Sequence, residues 1–118
     1  MQPSRRPQRL ALQIQREISL MLSRGVKGHN IGFVTVTGVR MSSDLQYARV
    51  FVSPMGSEGE KKECLEALRN ASGRVRHELG SCIRTRFLPE IDFVLDTSRE
   101  YGDHIDRLLA EIHMQEKE

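Results

Sequence analysis

Tryptophan is absent from this chain, and the other aromatics are few: four Phe and two Tyr in 118 residues. Stacking platforms are therefore scarce. Phe33, Tyr47, Phe51, Phe87, Phe93 and Tyr101 fall mostly at positions expected to be core, so sequence-specific reading of splayed bases is not favoured. Cysteine is equally sparse. Cys64 and Cys82 form no C-x-x-C pair, and each falls among the apolar positions of a predicted helix. They read as buried, reduced thiols, which argues against a disulfide framework or a metal site and suits a cytosolic protein. Long apolar runs are missing as well. No segment approaches the roughly 20 apolar residues that span a bilayer, and no unbroken apolar stretch follows the basic residues 1–9, so neither a membrane span nor a secretory signal is expected.

Catalytic patterns are missing too. His29, His77, His104 and His113 have no metal-ligand spacing with one another or with the cysteines, and no G-x-S-x-G, H-E-x-x-H or P-loop occurs. Asp92 and Asp96 alternate along a strand, with Asp103 and Asp106 following. They read either as a solvated acidic surface, the commoner case, or as an acid/base or metal pair. No cofactor, no metal and no enzymatic activity is expected.

What the chain does have is charge, unevenly placed. The formal net charge is only +2, so the distribution must carry any argument about partners. Residues 1–30 hold six Lys/Arg against one Glu, and residues 73–86 four Arg against one Glu. Residues 87–118 reverse this, with three Lys/Arg against nine Asp/Glu. A basic front and an acidic tail result. The length suits one domain over residues 1–118 with a modest core, residues 115–118 forming a frayed tail.

Leu10, Ile14, Ile18, Met21 and Leu22 recur at helical spacing beside Ala11, predicting an amphipathic helix over residues 6–23. Arg5, Arg9 and Arg16 project from its opposite side, near Leu12 and Leu20, which are either scattered surface leucines or an apolar contact for a partner. Residues 33–40 and 45–53 alternate β-branched and aromatic residues with polar ones and predict an antiparallel hairpin. Cys64, Leu65, Leu68 and Ala71 mark a second helix over residues 60–71. Val75, Leu79, Cys82 and Ile83 mark a third over residues 73–86. Between them Asn70-Ala71-Ser72-Gly73 reads as a kink or tight turn, with Ser72 able to cap the following helix and Gly73 relaxing the backbone. Residues 91–95 predict a third strand, and Thr97 or Ser98 caps a last helix bearing Ile105, Leu108, Leu109 and Ile112 on one side. A hairpin, a helical crossover and a further strand place that strand parallel to the second. The expected fold class is α+β: a three-stranded mixed sheet with helices on one face.

On the third predicted helix Arg74, His77, Ser81 and Arg84 share a sector of roughly 80°, with Arg76 and Gly80 on its flank. Guanidinium groups fixed along such a surface suit phosphate oxygens. Gly80 costs about 1 kcal/mol relative to Ala in a helix interior, so either a sugar-phosphate backbone or a neighbouring element approaches it closely.

The segments Ser4-Arg5-Arg6 through Arg16-Glu17-Ile18, Gly32-Phe33-Val34-Thr35-Val36-Thr37, Ser42-Ser43-Asp44-Leu45 with Ala48 and Val50, Ala71-Ser72-Gly73-Arg74-Val75-Arg76-His77-Glu78-Leu79-Gly80, and Pro89 with Phe93, Asp96, Ser98 and Glu100 together resemble the bacterial ribosome-binding factor A (RbfA) family over nearly the whole chain. The resemblance implies a type II KH-like domain in which an Ala-x-Gly interhelical kink, matched by Ala71-Ser72-Gly73, replaces the GxxG loop. It further implies a non-enzymatic assembly factor. Such a factor binds the free small (30S) ribosomal subunit, promotes late maturation and 5′-end processing of 16S rRNA, matters for growth in the cold, and acts alongside assembly GTPases. Two departures are visible: Gly28-His29-Asn30 stands where the family often has Asp-Pro-Arg, and the chain ends soon after its last predicted helix.

The expected interface with rRNA comprises Arg5, Arg9, Arg16, Ser72, Gly73, Arg74, Arg76, His77, Arg84 and Arg86, in a cytoplasmic monomer that uses no membrane. Two other readings stand beside it. One is a protein-interaction module using Leu12, Leu20 and the acidic last helix; the other is a small hydrolase using the Asp/His-rich C-terminal segment.

Overall fold

The computed structural model describes residues 6–84 and 88–97. The first helix, α1 (Arg6–Arg24), buries Ala11, Ile14, Ile18, Met21 and Leu22, the stripe expected from their spacing. It stops where Gly25 takes φ +90°, a conformation that suits glycine, with the Gly25 N–H returning to the Leu22 carbonyl at 3.3 Å. The following loop also contributes to the core, through Val26 and Ile31.

Strands β1 (Val34–Met41) and β2 (Tyr47–Pro54) pair antiparallel, from Val34 opposite Pro54 to Met41 opposite Ala48. A register shift between Val36 and Gly38 marks a β-bulge at Thr37, whose hydroxyl donates to the Phe51 carbonyl at 3.3 Å. In the hairpin turn the Asp44 carboxylate accepts from the Ser42 hydroxyl at 2.6 Å and the Gln46 N–H at 3.1 Å, and these bonds hold its pKa below the ordinary value.

Helix α2 (Glu58–Cys82) opens on a capping box. The Ser57 hydroxyl accepts the Glu60 N–H at 3.2 Å, and the Glu60 carboxylate accepts the Ser57 N–H at 3.1 Å, which lowers the Glu60 pKa. Strand β3 (Glu90–Leu95) then lies parallel to β2, giving the sheet order β1-β2-β3. Ala48, Val50, Val52, Ile91 and Phe93 point to one face, where α1 packs mainly over β1 and α2 over β3. The mixed three-stranded sheet with helices on one side is thus the expected α+β architecture.

Several expectations need correction. The two helices predicted on either side of residues 70–73 are one continuous helix. Cys64, Leu68, Ala71, Val75 and Leu79 form a single buried stripe at steps of three and four, and a break at Ser72 would take its second half off the sheet. Ser72 is not a cap; its hydroxyl donates back to the Arg69 carbonyl at 2.8 Å inside the helix, a bond that bends helices without ending them. Cys64 is buried as expected, whereas Cys82 is exposed at the last turn of α2. Phe93 is core and Phe51 half-buried, but Phe33 and Tyr47 stand in solvent. Gly80 resolves to close packing, since a Cβ there would lie 2.8 Å from Leu88 Cδ1. The last predicted helix lies outside the described residues, as do Phe87 and Tyr101.

Candidate nucleic-acid interface

The two helices turn their polar sides away from the sheet, and this outer layer carries most of the expected interface. On α1, Arg9 and Arg16 are exposed. About two turns separate them, so both project from the side opposite the buried stripe. Gly73, Arg74 and His77 of α2 are exposed on its solvent side, and Arg84, just past the helix end, is exposed as well. Arg5 and Arg86 lie outside the described residues.

The remaining cations differ in how far the fold already uses them. Arg9, Arg16 and Arg84 make no ion pair or side-chain hydrogen bond with another described residue. Arg74 Nε donates to the Glu78 carboxylate at 3.1 Å, one turn further along the helix. Arg76 is half-buried on the flank facing β3. Its Nε donates to the Pro89 carbonyl at 3.0 Å and its Nη2 to the Leu88 carbonyl at 2.9 Å. Arg69 Nε reaches the Phe93 carbonyl on the same flank at 3.4 Å. The arginines in and just after α2 are therefore sorted by position: Arg69 and Arg76 tie the helix to β3, while Arg74 and Arg84 face solvent.

Gly73 needs no special backbone conformation, and a Cβ built there would meet open space. Packing gives no reason for glycine at this position. It leaves bare helical backbone on the solvent side of α2, next in sequence to Arg74.

Among the described residues no polar or charged side chain is fully buried, and no cluster of three or more His, Cys, Asp or Glu could hold a metal ion. Asp92 is exposed and faces Arg49 across the sheet at 3.8 Å, a solvated surface pair. At Cys82 desolvation raises the thiol pKa first, with the Glu17 carboxylate adding a hydrogen bond and like-charge repulsion that Arg24 opposes. Such a thiol is kept protonated and is a poor nucleophile. No helix among the described residues is long and apolar enough to cross a membrane.

The spacing argument missed the exposed aromatics. Phe33 lies one residue before β1, outside the alternation that sorts strand residues into faces, and Tyr47 opens β2 on the face the helices leave uncovered. The usable signal was Gly32, whose φ of +80° marks a turn ahead of the strand.

A helix, a hairpin, one long helix and a parallel third strand, with cations on the outer helical layer, define a small α+β domain consistent with a type II KH-like arrangement. The model of the ribosome-binding factor A family matches residues 6–109, and the chain belongs to that family. The Brevibacillus brevis ribosome-binding factor A is 48% identical over 104 residues, 88% of this chain and 86% of that protein. The solution NMR structure of a Thermotoga maritima protein described as a ribosome binding factor A superposes with TM-score 0.66 at 34% identity, covering 80% of this chain and 90% of that one. The Thermus thermophilus ribosome binding factor A homology model, fitted into the cryo-EM map of a 30S complex of that protein, shares the fold. Its TM-score is 0.54 at 24% identity over 82% of this chain and 97% of that one.

Proposed function

We propose that this domain docks on rRNA of the free small ribosomal subunit through the outer layer of α1 and α2. The observation that carries the reading is a set of arginines, Arg9, Arg16 and Arg84, exposed and without an ion pair among the described residues. The names of its relatives, which include a protein fitted into a 30S complex, support the same partner. Exposed guanidinium groups along a helical layer suit phosphates of structured RNA, which positions the protein without reading sequence. In this reading the protein is a cytoplasmic, monomeric, non-enzymatic factor. It promotes late maturation and 5′-end processing of 16S rRNA, including in the cold, alongside assembly GTPases, with Arg5, Arg74, His77 and Arg86 completing the surface and Ser72 and Arg76, bonded within the fold, supporting it.

Co-sedimentation with separated small, large and joined ribosomal particles tests it. Wild-type protein is expected with the free small subunit alone. An R9A/R16A/R84A variant should fold normally yet bind weakly, its slope of log affinity against log salt falling by about 0.7–0.9 for each phosphate it no longer neutralises. Equal binding by the triple variant across a salt titration would sink the proposal.

Leu12 and Leu20, 69% and 43% exposed on the side of α1 that carries Arg9 and Arg16, favour a second reading, a protein-interaction module. It would replace the first if the purified protein ignored rRNA-containing particles while L12S/L20S abolished a stable protein complex.

A further inference from the structure

We propose that the groove between the last turn of α1 and the free edge of β1 takes an unpaired stretch of RNA, with one base stacked on Phe33. This rests on the rRNA-binding reading above and adds to the helical layer a second contact of different chemistry.

The groove encloses about 550 Å³, with Ser19, Ser23 and Arg24 of α1 on one wall and Val34 and Thr35 of β1 on the other. Phe33 stands at its end, 87% exposed, the most exposed large apolar residue among those described. Its backbone is nonetheless fixed. Gly32 turns the chain at φ +80°, and the Phe33 carbonyl accepts the Met55 N–H at 3.1 Å. A ring left in water on a fixed backbone contributes nothing to the core, and every nucleobase offers a π-face to cover it.

Charge selects the occupant. Not one Asp or Glu occurs between Glu17 and Asp44, whereas Arg24, Lys27 and Arg40 do. Arg24 is the charged residue of the groove wall, among hydroxyl groups that can donate to phosphate or base edges. On the other side of Phe33 a separate hollow is lined by Glu60 and Glu63, so a phosphate chain stacked at the ring is directed toward Arg24. The alternative guest, a peptide strand added to the β1 edge, is disfavoured because the bulge between Val36 and Gly38 interrupts the edge such a strand needs.

The chain has no tryptophan, so F33W supplies a single fluorescent reporter at the site. The probes are free small subunits and deproteinised small-subunit rRNA. F33W should bind both as wild type does, with its emission quenched and shielded from acrylamide on binding. F33A should bind about tenfold more weakly, as expected for removal of one stack, with an unchanged salt slope. R24A should lower that slope by about 0.7, the value for a single-stranded phosphate. Unquenched F33W together with wild-type affinity for F33A overturns the inference. If R9A/R16A/R84A is still impaired in that case, the helical-layer reading survives alone. If the triple variant binds normally while F33A is weakened, the groove is the RNA site and the helical layer is not. Disruption of a protein complex by F33A with RNA binding intact would also overturn it, in favour of a peptide guest.

Discussion

Arg76 of α2 and Pro89, the residue before β3, are joined directly, the guanidinium Nε donating to the proline carbonyl at 3.0 Å while Nη2 donates to the neighbouring Leu88 carbonyl at 2.9 Å. One turn along the helix, Gly80 leaves room for the Leu88 side chain on the same flank. Arg76 and Gly80 thus work together: the glycine admits the chain against α2 and the arginine fixes it there. Pro89 is itself fully buried, so the bond anchors the entry to β3 in the core.

R76A is therefore expected to destabilise the fold by about 2 kcal/mol, in the range for hydrogen bonds made by a charged donor. R76K should rescue little, because an ammonium cannot reproduce a planar two-bond fork. Urea denaturation gives the first quantity, and binding by the folded fraction gives the second, expected unchanged. A fully stable R76A that bound small subunits poorly would return Arg76 to the interface.

Gly73 makes the opposite case. It sits in the interior of α2, exposed, with nothing a Cβ would touch, so G73A should stabilise the protein by about 0.5–1 kcal/mol through the lower backbone entropy of the unfolded chain and better helix propensity. A few degrees in the melting temperature would register it. If the bare backbone admits rRNA, the same substitution lowers affinity for free small subunits. A variant both more stable and equally well bound would show that the glycine has no part in docking.

The contrast between these positions shows what could be read from the sequence. Periodicity carried the core: Ile14, Ile18, Leu68, Val75, Leu79 and Phe93 are buried as their spacing requires, and the sheet order follows from a hairpin and one helical crossover. Local residue chemistry misled at Ser72-Gly73, because a glycine and a small hydroxyl residue resemble a helix boundary whether or not the apolar stripe runs through them, and here the stripe prevails. Arg76 reads from the sequence only as the flank of the basic sector, since angular position on a helix does not reveal that this flank meets backbone carbonyls just ahead of a later strand. Cys82 and Phe33 failed for a related reason. Each lies at the end of an element, where the periodic pattern no longer decides between core and solvent.

Arg74 and Glu78 supply the last test. Their contact is an i,i+4 pair with the arginine N-terminal, the less favourable orientation, and both side chains are partly exposed. E78Q should therefore cost stability only a few tenths of a kcal/mol. It would also remove a negative charge from beside the proposed phosphate surface and leave Arg74 uncompensated. Affinity for free small subunits should rise about threefold at low salt, with a steeper salt dependence, and the gain should vanish in R74A/E78Q. Isothermal or sedimentation binding at two salt concentrations separates the outcomes. If E78Q and wild type bind alike at both, Arg74 lies outside the interface, which at this end of the molecule contracts to Gly73, His77 and Arg84.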